Sequence, residues 1–119
     1  MKNNDVYLYD DGSNIRDFLH VQDVCKAIML CIDKQEANSI INIGSGNPQM
    51  LRPIMEYVIS KSKSNSKLIN IEPPFFHQIV QVKNMYLNNT KLKNLGFTQD
   101  IPIYEGIDKI MEKYSEKNE

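Results

Sequence analysis

The sequence is as informative in what it lacks as in what it holds. No apolar run approaches the roughly 18 residues that a membrane-spanning helix needs, and no signal peptide is legible, which points to the cytoplasm. Charge of one sign is also missing: 14 basic against 15 acidic side chains give a net charge of −1, so neither nucleic acid nor an anionic membrane is an expected partner. There are only two cysteines, Cys25 and Cys31. On one helix they would lie about 9 Å apart along the axis, beyond the roughly 7 Å between Cα atoms that a disulfide tolerates. They read as small apolar core residues. The chain holds no zinc-ligand cluster, no P-loop and no G-x-S-x-G elbow. Glycines are few, and Gly44-Ser45-Gly46 continues to Gln49 where a dinucleotide fingerprint requires a third glycine.

What remains is an ordinary globular composition, 41% hydrophobic and 24% charged, of a size suited to one domain, 1–119. Val6 to Tyr9 reads as a short strand, followed by a turn at Asp10-Asp11-Gly12-Ser13-Asn14. Ile15, Phe18 and Val21 alternate with polar residues and predict an extended segment carrying Arg16. Asp23 is suited to cap a helix over 23–34, since its carboxylate can accept the free N–H groups of the first turn. Ile40–Ile43 reads as a β-branched strand, stopped by the Gly44–Pro48 turn. A helix to about Lys61 is compatible with Pro53 only in its first turn, and Leu51, Ile54, Met55, Val58 and Ile59 form its apolar stripe. The polar run 60–67 is a solvated loop. Leu68 to Ile71 is a strand broken by Pro73-Pro74, and Gln78 to Leu87 is ambiguous. A short helix over 91–94 ends at Gly96, and a last helix begins near Pro102, supported by Glu105 and Lys109 at i,i+4.

The organising stretch is Arg16-Asp17-Phe18-Leu19-His20-Val21-Gln22-Asp23-Val24. An arginine on a strand presents a planar fork of donors matched to diphosphate oxygens and stays charged at any working pH. A salt bridge to Asp17 or another carboxylate explains it equally well, and the residues alone leave both readings open. His20 is best read as a hydrogen-bonded structural group.

Tyr9-Asp10-Asp11-Gly12-Ser13, then Arg16-Asp17-Phe18, His20-Val21 and Asp23-Val24, resembles the substrate-domain signature of nucleotide-sugar epimerases and dehydratases, the extended short-chain dehydrogenase/reductases. Asn42-Ile43-Gly44-Ser45-Gly46 and Thr90-Lys91-Leu92 with Leu95-Gly96-Phe97 continue it in order. The resemblance implies an α/β fold, a small mixed domain forming the C-terminal, substrate-binding portion of a Rossmann-type enzyme without its cofactor half. NAD(P) would belong to that half in the complete enzyme, and no residue here is assigned to cofactor, metal or catalysis. It also implies that Arg16 contacts the diphosphate of a nucleotide sugar and that the base lies against Leu8-Tyr9, where Asp10 replaces the usual glycine. A second R-x-x-D pair of the family falls, by counting back from Leu95-Gly96-Phe97, near Gln78 and Gln81. Both are uncharged, which leaves His77 and Lys83 as candidate substitutes.

Tyr57 and Lys61 match a Y-x-x-x-K pair, whose lysine would lower the tyrosine's pKa for proton exchange beside a nicotinamide. The resemblance puts them on a peripheral helix instead. Two classes of function therefore stand: nucleotide-sugar binding within an NAD-dependent enzyme, or a non-catalytic interaction module retaining the fold. In either case, helix 23–34 is apolar nearly all round and strand 40–43 suits burial on both faces. The resemblance packs both against the cofactor half; without it, they predict a self-associating homodimer.

Overall fold

A computed structural model describes residues 4–34 and 37–116. The chain divides into two compact units, one running to Arg16 and resuming over Gln49–Met85, the other comprising Asp17–Pro48 and the chain from Tyr86 onward.

The first unit is built on β1 (Val6–Tyr9), which pairs in parallel with β4 (Leu68–Ile71) in the register Val6↔Leu68 to Tyr9↔Ile71. Between them α2 (Leu51–Ser62) starts with Pro53 in its first turn, where the missing N–H is harmless. Lys63 ends it in the left-handed conformation. Ile54 is buried and Leu51, Met55, Val58 and Ile59 are half-buried, as the stripe predicted. After β1, Asp10, Asp11 and Gly12 all take positive φ, a conformation that Asp tolerates better than most residues. Gly12 is obligatory for a second reason: a Cβ there would lie 2.9 Å from both Leu8 Cδ1 and Arg52 Cβ. Arg52 clasps the same turn, pairing with the Asp11 carboxylate and donating from Nε to Asp11 O at 2.8 Å. That acidic partner raises the arginine's pKa above its already high value.

Three two-residue strands complete this unit. β2 (Ile15–Arg16) lies between β3 (Gln49–Met50), antiparallel, and β5 (Asn84–Met85), parallel. The extended reading thus holds for Ile15 and Arg16 and stops short of Phe18 and Val21. The ambiguous stretch resolves into α3 (Phe75–Val80), begun at Pro74, and β5.

The second unit packs α1 (Val21–Asp33), α4 (Thr90–Asn94) and α5 (Ile103–Glu116) with connecting segments. Its core is Ala27, Leu92 and Phe97, with Leu19, Leu30, Cys31, Ile41 and Ile43 packed against them. Gly96, at φ 101°, follows α4 as expected, and Lys109 pairs with Glu105 at 3.0 Å on α5. Cys31 is half-buried against this core, whereas Cys25 is exposed, correcting its assignment to the interior.

Two expectations are overturned in this unit. Asp23 is not the cap of α1. The helix begins two residues earlier, and His20 caps it, accepting the Gln22 N–H through Nδ1 at 3.2 Å. Asp23 is instead buried and accepts the backbone N–H groups of Asp100 and Ile101, both at 3.0 Å, fixing the turn ahead of α5. Nor is 40–43 a strand. No ladder takes up its backbone groups among the described residues; Asn42 Nδ2 donates to Asn88 O at 3.1 Å and Lys91 Nζ to Ile40 O at 3.2 Å. Ile41 and Ile43 face the core, while Ile40 is 85% exposed.

Candidate functional site

Arg16 ends the central strand of the three-stranded sheet, in register with Gln49 on one side and Met85 on the other. Its Nη1 donates to two carbonyl oxygens, Ile15 O at 2.8 Å and Lys83 O at 3.0 Å. It has no carboxylate partner among the described residues. The salt-bridge reading therefore finds no counter-ion. Asp17, its nearest acidic neighbour in sequence, is engaged elsewhere. The guanidinium is half-buried on neutral acceptors, an arrangement that leaves its positive charge uncompensated.

The other residues named by the sequence belong to the same unit. The Leu8 side chain is core, 3% exposed, so only its backbone can meet a ligand. Tyr9, next along β1, meets the His77 ring edge-on, with centroids 5.6 Å apart and planes at 86°. His77 thus joins the Tyr9 surface through an aromatic contact, a relationship the sequence did not reveal. Gln78 Nε2 donates to Pro73 O at 2.8 Å, and the Gln81 N–H closes α3 on His77 O at 2.8 Å. The segment in register with Arg16 is Asn84–Met85, and Lys83 enters through its carbonyl.

The two rejected motifs acquire physical explanations. Lys61 Nζ lies 5.3 Å from the centroid of the Tyr57 ring, over its face, a cation–π pair along one helix. In the second unit, the Gly44-Ser45-Gly46 turn is filled by protein acceptors. Asp17 Oδ1 accepts the Ser45 N–H at 2.8 Å and its hydroxyl at 2.5 Å, while Oδ2 accepts the Leu87 N–H at 3.3 Å. Gly44 O accepts from Asn89 Nδ2 at 3.0 Å. A Cβ on Gly44 would stand 2.5 Å from Asp17 Oδ2, so glycine serves here to admit a carboxylate. A dinucleotide pyrophosphate needs such N–H groups vacant and a neighbourhood without negative charge. This turn therefore does not offer the vacant N–H groups that a dinucleotide pyrophosphate needs. Among the described residues there is no His/Cys/Asp/Glu cluster able to hold a metal, and no helix is long and apolar enough to cross a membrane.

The fold has a known counterpart: it is a portion of the Rossmann-type α/β epimerase/dehydratase architecture. A UDP-glucose 4-epimerase from Thermotoga maritima, solved with UDP-glucose, superposes with a TM-score of 0.81 at 23% identity, covering 97% of this chain and 36% of that one. An epimerase from Methanothermobacter thermautotrophicus gives 0.86 at 17% identity over 96% of this chain and 34% of its own. Sequence agrees. The NAD dependent epimerase/dehydratase family model matches residues 1–44. A trifunctional UDP-glucose 4,6-dehydratase/UDP-4-keto-6-deoxy-D-glucose 3,5-epimerase/UDP-4-keto-L-rhamnose-reductase of Arabidopsis thaliana is 32% identical over 94% of this chain and 17% of its own length. A UDP-N-acetyl-alpha-D-glucosaminuronate decarboxylase of Bacillus cytotoxicus is 27% identical over 80% of this chain and 30% of its own. The chain is a homologue of NAD-dependent nucleotide-sugar epimerases and dehydratases, and it spans about a third or less of the length of these relatives.

Proposed function

We propose that residues 1–119 act as one substrate-binding domain, the C-terminal portion of an NAD-dependent nucleotide-sugar epimerase or dehydratase, and that Arg16 holds the diphosphate of the sugar donor. The observation that carries this reading is the state of Arg16, a cation on a fixed strand whose partners are two neutral carbonyl oxygens. Phosphate oxygens would supply the negative, bidentate acceptor that these carbonyls do not. Tyr9, with His77 against it, and the Leu8 backbone offer a surface for the base; Gln78 and Gln81 stand where the family's charged pair was expected by counting. Chemistry at the sugar would then belong to a cofactor half holding NAD(P), and this domain's share is binding and orientation.

That half is also the natural partner for α1. Val21, Ile28, Met29 and Ile32 are 66%, 46%, 55% and 61% exposed along one helix, too much apolar surface to leave in water. Where no such half covers it, a two-fold homodimer of this chain would.

Titration of the complete polypeptide with UDP-glucose tests the reading. Binding is expected. A second reading, a non-catalytic interaction module, is favoured by the neutral side chains at Gln78 and Gln81, and a flat titration would establish it over the first.

A further inference from the structure

The second unit holds a cavity of about 310 Å³ that shares no residue with the Arg16 surface. It is lined by His20 and Gln22 at the start of α1 and by Lys109, Ile110, Glu112 and Lys113 on α5. Pockets for small ligands begin at roughly 300 Å³, so the space suits a compact molecule. Gln22, Glu112 and Lys113 are exposed, which leaves the cavity within reach of solutes. His20 sets its polarity. Because Nδ1 accepts the Gln22 N–H, the ring proton sits on Nε2, and that nitrogen is a donor. A Cβ on Gly106 would stand 3.2 Å from Cδ2, the ring carbon bonded to Nε2, so this edge of the imidazole faces α5. Positions 109, 110 and 113 follow Gly106 at i+3, i+4 and i+7, on the same side of that helix. Lys109 is paired with Glu105 at 3.0 Å, whereas Lys113 has no carboxylate partner among the described residues. Two ammonium groups and an imidazole N–H thus line the space against one carboxylate, Glu112, with Ile110 as its apolar wall.

We propose that this cavity binds a small phosphate ester carrying free hydroxyls. The phosphate takes the charge of Lys113, with Lys109 and the His20 Nε2–H as further donors, since a dianion matches two cations better than a carboxylate does. Glu112 accepts a hydroxyl of the same ligand, a role for the one acidic group that would otherwise oppose an anion. The site uses no residue assigned to the nucleotide sugar, so it does not rest on the reading of Arg16.

The experiment is a calorimetric titration of the complete polypeptide with glycerol 3-phosphate, beside inorganic phosphate and glycerol. Wild type is compared with Lys113→Ala, Glu112→Gln, Arg16→Ala and Lys93→Ala, the last an exposed lysine on α4. Lys113→Ala should weaken both phosphates at least about tenfold, as for a lost charge-assisted hydrogen bond. Glu112→Gln should weaken glycerol 3-phosphate and leave inorganic phosphate as tight or tighter. Arg16→Ala and Lys93→Ala should change neither, and glycerol should not bind. In the wild type, the His20 imidazole NMR resonance should shift on saturation with glycerol 3-phosphate, a readout that needs no variant to fold. A flat wild-type titration, or a static His20 resonance, would overturn the proposal. So would equal losses in Lys113→Ala and Lys93→Ala, which mark diffuse attraction. Loss in Arg16→Ala alone would place the phosphate at Arg16 and remove this site while sparing the reading of that residue.

Discussion

Asp17 and Ser45 are bound twice over: one carboxylate oxygen accepts both the backbone N–H and the hydroxyl of the serine, at 2.8 and 2.5 Å. The other oxygen takes the Leu87 N–H, so a single side chain gathers the start of the second unit, the glycine turn and the segment leading into α4. Asp17→Ala would leave these donors without their acceptor and should lower stability by about 2–3 kcal/mol in urea denaturation. An undiminished midpoint would mean that the turn is held by other contacts.

The same linkage bears on the cofactor. With the Ser45 N–H occupied and a carboxylate beside it, Gly44-Ser45-Gly46 should not accept a pyrophosphate. Residues 1–119 alone should show no measurable NAD(H) binding by protein fluorescence, and no nucleotide-sugar turnover for Tyr57→Phe to abolish. Micromolar NAD binding by this chain would refute the assignment.

Asp23 invites a second stability test. It is 1% exposed and accepts two N–H groups, those of Asp100 and Ile101. Asp23→Ala should cost about 3 kcal/mol, and Asp23→Asn, which retains one acceptor oxygen, should recover part of it. A helix cap would behave differently, with losses nearer 1 kcal/mol and confined to α1 in hydrogen exchange.

Self-association follows from the apolar face of α1. The 119-residue chain should sediment as a dimer at micromolar concentration. Ile28→Lys, on the exposed face, should give a folded monomer, whereas Ile41→Lys, packed against the Ala27–Leu92–Phe97 core, should destabilise the protomer instead. A well-folded wild-type monomer at high micromolar concentration would contradict the proposal.

How much of this was legible depended on the range of the interaction. Pro53 in the first turn of α2, Gly96 after α4 and the Glu105–Lys109 pair are local signals, and each falls where the sequence put it. Asp23 looked like a cap because capping is also local, but its carboxylate is claimed by backbone 77 and 78 residues away. Ile40–Ile43 has a strand's composition, yet a strand needs a neighbour, and composition does not supply one. Conversely, β3 and β5 are two-residue strands with no pattern of their own; they exist because Ile15 and Arg16 lie between them. Within the candidate site, Arg16 was legible from its motif. The Tyr9–His77 contact was not, since it arises from tertiary placement.

The central claim is that Arg16 binds diphosphate, and calorimetric titration of the complete polypeptide with UDP-glucose, wild type beside Arg16→Ala and Arg16→Lys, tests it most directly. Losing a charge-assisted hydrogen bond predicts a deficit of about 1.5–3 kcal/mol for Arg16→Ala. Arg16→Lys should recover only part of it, because a point charge lacks the bidentate fork. Equal affinity in wild type and Arg16→Ala, with circular dichroism and melting unchanged, would contradict the account.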